Sequence, residues 1–204
     1  KNNDVKLLNN DFYHSLEDLK QDSVYGVLMH NADDLLKPGA EKLYDHLQEL
    51  KQAEKIVKIG VSVYDYSQLQ SILDNFDIDL VQLPFNILDR RMIDSGMLST
   101  LRSSNTEVHA RSVFLQGLLL MSEQNRPDKF NRWSGLWKIW HEWLNDSQIT
   151  ALEATIRYAI SMPEISKVLV GVDNKDQLKE IIIASNGILP NIPTELHTND
   201  INLL

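Results

Sequence analysis

The sequence predicts an α/β protein built on a parallel sheet, and three observations support this prediction. Short apolar runs alternate with amphipathic segments along the 204 residues, giving five βα units after one leading helix. The apolar runs are typical of strands buried on both faces, as in parallel sheets that helices cover. Hydrophobic residues make up 43% of the chain, which is enough for one sizeable core, so we expect a single domain over residues 1–204.

The leading helix and the first two units occupy the N-terminal part of the chain. Apolar residues recur every three or four positions in the first two helices, which indicates one buried face on each: Phe12, Leu16 and Leu19, then Ala40, Leu43, Leu47 and Leu50. The runs 24–30 and 56–64 between them are apolar and predict strands. A third helix follows over 65–76, and either Asp65 or Ser67 caps it.

The remaining units follow the same order with one interruption. Strands are predicted at 78–85, 107–114 and 167–172, and helices at 90–104, 148–162 and 174–185. Pro163 ends one of these helices and Asn186-Gly187 ends the last. Segment 115–147 interrupts the alternation and contains all four tryptophans. We expect them to pack as a helix face; a lid or substrate wall is the functional alternative.

Spacing alone leaves two architectures open. Alternating strands and helices form either an open doubly wound sheet or part of a (β/α)8 barrel. A complete barrel takes about 250 residues. Five units would therefore be an incomplete barrel.

Composition excludes several functional classes. The formal net charge of −9 disfavours nonspecific binding to nucleic acid and to anionic membrane surfaces. The absence of cysteine removes disulfides, Cys-ligated metals and thiol nucleophiles, and we expect no metal site. No apolar run reaches the roughly 20 residues of a membrane span. The N-terminus has no signal-peptide pattern, so we expect a cytoplasmic protein.

The ends of the predicted strands carry polar or glycine residues. Ligands bind at the carboxyl ends of strands in both parallel architectures. The common dinucleotide and P-loop fingerprints are absent. The strand ends carry His30, Ser62, Gln82, Arg111, Ser112, Gly117, Gly171, Asn174 and Gln177.

Five segments together resemble the aldo-keto reductase family, in the family's order. They read VYGVLMHNADDLL, KIGVSVYDYSQL, DLVQLPFNILDRR, HARSVFLQGLLL and KVLVGVDNKDQLKEI, and they cover about residues 24 to 183. RSVFLQGLLL looks like the bacterial subgroup. The resemblance implies a (β/α)8 TIM barrel of which this chain is the C-terminal portion, about strands 4 to 8. It also implies a nicotinamide cofactor, NADP(H) first and NAD(H) as the alternative, and a small-molecule carbonyl substrate.

The resemblance also assigns residues. His30 matches the family's catalytic histidine, and Ser62 and Gln82 match the residues that bind the nicotinamide carboxamide. Arg111 stands where a tyrosine commonly stacks on the nicotinamide. The loop over the pyrophosphate would be Ser112, Phe114, Gln116 and Gly117, and the adenosine half would be held by Gly171, Asn174 and Gln177.

Departures from the family pattern limit these expectations. Val63 replaces a common asparagine, and Asp173 stands where many members place an arginine for the adenosine 2′-phosphate, although Lys175 is nearby. The family's catalytic Asp, Tyr and Lys have no match here, so we expect an inactive fragment of a longer reductase that can form a homo-oligomer. The alternative is a catalytically silent module that binds nucleotide or protein.

Overall fold

The strands of the computed structural model, which describes residues 2–204, confirm an α/β protein. Five strands form one sheet in chain order, and the paired strands run parallel. The strands are β1 Val24–Met29, β2 Ile56–Ser62, β3 Leu80–Pro84, β4 Glu107–Arg111 and β5 Lys167–Val168.

Eight α-helices are found in the described residues, together with short 3-10 turns such as Asp128–Trp133. They are α1 Asn2–Leu19, α2 Glu41–Gln52, α3 Tyr66–Leu73, α4 Arg91–Asp94, α5 Met97–Ser103, α6 Ser134–Ser147, α7 Ala151–Ser161 and α8 Lys175–Ala184. The chain forms two compact units. The first unit comprises the chain up to Leu83 with Leu101–Val108, and the second comprises Pro84–Thr100 with His109–Leu204.

The core of the first unit forms around β2, which packs against α2. Ile59 on β2, Leu47 on α2 and Leu69 on α3 are fully buried. β1 differs from the prediction, because Tyr25 is 51% exposed and no residue of this strand is fully buried. The reason is its place in the sheet: β1 is the terminal strand of the order, so fewer neighbours cover it.

The second unit contains β5, which is shorter than the predicted strand 167–172. β4 and β5 pair His109 with Lys167 and Ala110 with Val168. One more ladder bond follows, in which Leu169 N–H donates to the Ala110 carbonyl at 2.8 Å. β4 ends one residue later, so the chain after Leu169 has no strand beside it and continues as a loop.

Helix boundaries follow local chemistry more closely than hydrophobic periodicity. The predicted helix 90–104 is divided into α4 and α5 at Gly96, whose φ is +75°. Asp65 and not Ser67 is the N-cap of α3, because its carboxylate accepts the Gln68 N–H at 2.9 Å. α7 begins after Thr150 and ends before Pro163.

The tryptophan segment packs largely as expected. Trp137, Trp140 and Trp143 on α6 are buried, with 3%, 0% and 6% of their surface exposed. Trp133 differs from them because it precedes α6 and is only partly buried.

Candidate active site

Three predicted site residues of the first unit lie in one row across neighbouring strands. β1 and β2 pair Met29 with Val61, and β2 and β3 pair Ser62 with Gln82. His30 follows Met29 as Ser62 follows Val61. The register therefore places His30, Ser62 and Gln82 at the same level, at the carboxyl ends of three parallel strands.

Ser62 and Gln82 contact each other at this edge. The Ser62 hydroxyl, in a residue that is 5% exposed, lies 3.4 Å from the Gln82 side-chain oxygen. The Gln82 carbonyl accepts the Val63 N–H at 2.9 Å, which continues the ladder past the end of β2. His30 itself is exposed at the end of β1. The row thus offers a hydroxyl, an amide and an accessible imidazole.

In the second unit, the loop after β4 has an unusual backbone. Ser112, Leu115 and Gln116 have φ values of 59°, 48° and 53°, in the left-handed region that disfavours residues with a Cβ. Gly117 follows with φ 86°. Backbone hydrogen bonds between residues three apart stabilise this shape, and in one of them the Leu115 N–H donates to the Ser112 carbonyl at 2.8 Å. Such strain costs about 1–3 kcal/mol per residue and concentrates at ligand sites.

This loop lines a cavity of about 650 Å³, which we call cavity A. The opposite wall is formed by the loop after β5 and the first turns of α8. Cavity A is lined entirely by the second unit. Six of the predicted cofactor residues line it: Ser112, Phe114, Gln116, Gly117, Gly171 and Gln177.

Arg111 and Asn174 lie beside cavity A without lining it. The Arg111 guanidinium donates to the Ser112 hydroxyl at 3.3 Å. Asn174 is the N-cap of α8, and its side-chain oxygen accepts the N–H groups of Asp176 and Gln177, both at 3.0 Å. Asn174 therefore caps α8, whereas the sequence had suggested only a role in cofactor binding.

Cavity A carries negative charge that the sequence only partly indicated. Asp173 lines it, and Glu180 on α8 lines it as well. No lysine or arginine is present among its lining residues in the described chain. The sequence did not indicate Glu180, because only the position of α8 in the fold brings this residue close to the loops after β4 and β5.

A second cavity in the same unit, cavity B, has a volume of about 550 Å³. Trp133 and Phe130 line it beside the last residues of the chain, and Gln116 lines both cavities. The Trp133 ring lies under the Arg132 guanidinium at 3.9 Å, and its indole N–H donates to Asp200 at 3.1 Å. Trp133 is thus the tryptophan that lines cavity B. A wall was the functional alternative that we gave for this segment from the sequence.

A cluster at the opposite ends of the strands was not predicted. Glu107 accepts a hydrogen bond from the Tyr25 hydroxyl and pairs with Lys58 at 2.7 Å. The bond to Glu107 raises the pKa of Tyr25, and the same carboxylate raises the pKa of Lys58. Tyr25 is therefore a poorer proton donor than a free tyrosine, and the cluster lies near the amino ends of the strands. The raised pKa of Tyr25 and the position at the amino ends of the strands distinguish this cluster from the candidate site at His30.

Two kinds of feature are not found. Residues 2–204 contain no group of three or more His, Cys, Asp or Glu side chains placed to hold a metal ion. Within the same range, no helix has the length and apolar character needed to cross a bilayer.

Comparison with known proteins gives consistent matches. The model of the aldo/keto reductase family matches residues 6–191. A curated relative, the uncharacterized oxidoreductase YqkF of Bacillus subtilis (strain 168), is 22% identical over a match of 182 residues, and the match covers 85% of this chain and 58% of that protein.

Solved structures share the fold. The apo form of aldo-keto reductase AKR11C1 from Bacillus halodurans superposes with a TM-score of 0.72 at 18% identity, over 92% of this chain and 65% of that one. The thermostable aldo-keto reductase Tm1743, solved with the inhibitor epalrestat, gives 0.68 at 20% identity, over 90% and 62%. The chain thus spans about three fifths of the length of the relatives it matches.

Proposed function

Because this chain belongs to the aldo/keto reductase family, we propose that it acts in the NAD(P)H-dependent reduction of an aldehyde or ketone. The observation that supports this most directly is cavity A. Six of the ten residues that the resemblance assigned to the cofactor line this one cavity. Residues that the resemblance assigned to one cofactor are thus brought together around one cavity, which supports the proposal.

The residues of cavity A suit a dinucleotide. The volume of about 650 Å³ is in the range of small-molecule and cofactor sites. The loop from Ser112 to Gly117 contains a glycine and left-handed residues, as phosphate-binding loops do, and its Leu115 and Gly117 N–H groups donate to carbonyls of the loop itself. When bound, the nicotinamide supplies a hydride to the carbonyl carbon. By the same resemblance, Ser62 and Gln82 hydrogen-bond its carboxamide.

His30 is the proposed catalytic residue of this chain. An exposed imidazole at a strand end can donate a hydrogen bond to a carbonyl oxygen, which stabilises the negative charge that develops there during reduction. The Asp, Tyr and Lys that complete the family's catalytic set are not matched by residues of this sequence. The general acid of the reaction is therefore not assigned to this chain.

Cavity B is the proposed place for the substrate. It adjoins cavity A through Gln116, and its walls at Phe130 and Trp133 are aromatic. We propose a small-molecule carbonyl compound with apolar or ring surface, and no role for nucleic acid or membrane. Cytoplasmic location and homo-oligomer formation stay predictions from the sequence.

One observation favours a second candidate, a catalytically silent nucleotide-binding or protein-interaction module. Of four catalytic residue types, only His30 has a match here. The cavity would then retain the nucleotide while turnover is absent.

A titration separates these candidates. NADH and NADPH are added to the purified protein while quenching of the fluorescence of the four tryptophans is followed. Oxidation of the cofactor is then measured as the loss of absorbance at 340 nm after 4-nitrobenzaldehyde is added as the carbonyl substrate. Saturable quenching with turnover supports the reductase. Saturable quenching without turnover supports nucleotide binding, and it favours the silent module only when the protein tested also carries the family's catalytic Asp, Tyr and Lys. Absence of quenching with both cofactors would overturn the reductase and the nucleotide-binding module, and would leave the protein-interaction module as the remaining candidate.

A further inference from the structure

Two carboxylates face the ligand space of cavity A. Asp173 and Glu180 both line it, and both are exposed rather than paired in the core. Lys175, the cation that could offset Asp173, does not line the cavity. Lys179 lies 3.4 Å from the carboxylate of Asp176, which draws its charge to another acid.

The start of α8 does not compensate for this charge. A helix N-terminus attracts phosphate through its free N–H groups. In α8, the N–H groups of Asp176 and Gln177 are already bonded to the Asn174 side chain, at 3.0 Å each. The Asp173 N–H is also engaged, because it donates to the Gln177 side-chain oxygen at 2.7 Å. Three donors at this turn are thus satisfied by the protein itself.

We infer that cavity A selects the dinucleotide with a free ribose 2′-hydroxyl, NAD(H), over the 2′-phosphorylated form, NADP(H). This inference rests on the proposed function and reverses the order of preference that the family resemblance suggested. A carboxylate accepts hydrogen bonds from ribose hydroxyls, whereas a 2′-phosphate needs cations or free N–H donors. Asp173 and Glu180 supply the first and oppose the second.

The size of the preference follows from Coulomb's law. A phosphate monoester carries a charge of about −1.5 to −2 at pH 7. Repulsion from two exposed carboxylates that line the same cavity lowers its binding by about tenfold at low ionic strength, since each charge pair contributes little in water. Because exposed charges are screened, the preference falls as salt is added.

The test is isothermal titration calorimetry of the protein with NADH and with NADPH at low ionic strength. We expect NADH to bind about tenfold more tightly. Asp173→Asn keeps the side-chain size and removes the charge, so the ratio should fall toward one. Asp173→Arg should reverse it. Asp176→Asn is the matched control: it removes the same charge three residues away, outside the cavity lining, and should leave the ratio unchanged.

The outcomes separate two failures. NADPH binding as tightly as NADH, or more tightly, overturns this inference and leaves the proposed function standing. An equal change of the ratio in Asp173→Asn and Asp176→Asn overturns it too, because general charge would then be the cause. Binding of neither dinucleotide overturns the proposed function and this inference together.

Discussion

Gly60 in β2 allows the first three strands to approach closely. A Cβ built on it would lie 2.8 Å from the Leu80 carbonyl oxygen and 2.9 Å from Cγ of Leu28. Neither backbone nor packed leucine can move away at low cost. We therefore expect Gly60→Ala to lower the free energy of unfolding by about 1–3 kcal/mol, as overpacking does. Urea denaturation followed by circular dichroism measures this.

Gly26 in β1 provides the matched control for that substitution. Its added Cβ would meet the Lys58 carbonyl oxygen at 3.4 Å, an ordinary contact. Gly26→Ala should be neutral or stabilise by about 0.5 kcal/mol, because alanine restricts the unfolded chain. Equal losses in both variants would show that close approach is not the reason that Gly60 is needed.

A buried arginine in the second unit is held by uncharged partners. Arg126 is 8% exposed, its guanidinium lies 4.1 Å from the centre of the Trp137 ring, and it donates to His141 Nε2 at 2.8 Å. This donation requires a neutral acceptor. Burial first, and the charge of Arg126 second, lower the pKa of His141 below its ordinary value of 6.5.

Stability should therefore decrease in acid through His141. The unfolded chain binds a proton near pH 6.5, while the folded chain resists it until lower pH. This contribution is complete above pH 6.5 and is lost as the pH falls through the lowered pKa, by at most about 1.4 kcal/mol per pH unit. We expect unfolding free energies measured from pH 8 to pH 5 to show this decrease.

His141→Gln keeps a hydrogen-bond acceptor but cannot titrate. Its stability should vary less with pH between 7 and 5 than that of the wild type. Identical pH profiles for the two proteins would assign the acid sensitivity to other groups.

At the scale of elements, the sequence predicted which segments form helices and strands more reliably than where they end. Alternation identified all five strands because parallel strands are apolar runs between amphipathic helices. Ends depend on single contacts that periodicity does not contain. β5 stops because β4 stops at Arg111, and α7 starts after Thr150 because of a capping interaction.

The capping box of α7 allows a test of whether a single contact stabilises the start of a helix. The Thr150 hydroxyl accepts the Glu153 N–H at 3.2 Å, and the Glu153 carboxylate accepts the Thr150 N–H at 2.8 Å. Thr150→Ala removes one half and should lower the free energy of unfolding by about 1 kcal/mol. Thr150→Ser retains the hydroxyl and should lose much less. Thermal unfolding of the three proteins compares them, and equal losses for Ala and Ser would contradict a capping role.

The candidate site was predictable where it depends on strand order. His30, Ser62 and Gln82 lie in one row because parallel strands present their carboxyl ends at the same edge, which sequence spacing anticipates. Glu180 and Trp133 could not be assigned in this way. They line cavities only because a helix and an irregular segment approach loops that are distant in the sequence. The cluster at the amino ends of the strands depends on similar long-range packing.

At the scale of the whole molecule, the two units should respond differently to a nucleotide fragment. Cavity A is lined by the second unit alone, so ADP, which has no nicotinamide, should contact residues of that unit. A ligand at about 100 times its Kd stabilises the state that binds it by about 2.7 kcal/mol. Amides that exchange through local opening gain this protection only when the opening disrupts the ligand's contacts.

Hydrogen exchange with and without ADP can therefore locate the nucleotide. We expect amides of the loop 112–117 and of 171–177 to exchange more slowly when ADP is bound. Amides of β1, the terminal strand of the sheet order, open locally and should exchange at unchanged rates. Slowing confined to β1, or absent from both loops, would place the nucleotide outside cavity A. Slowing in the loops alone would place the nucleotide in cavity A, against the strained backbone after β4.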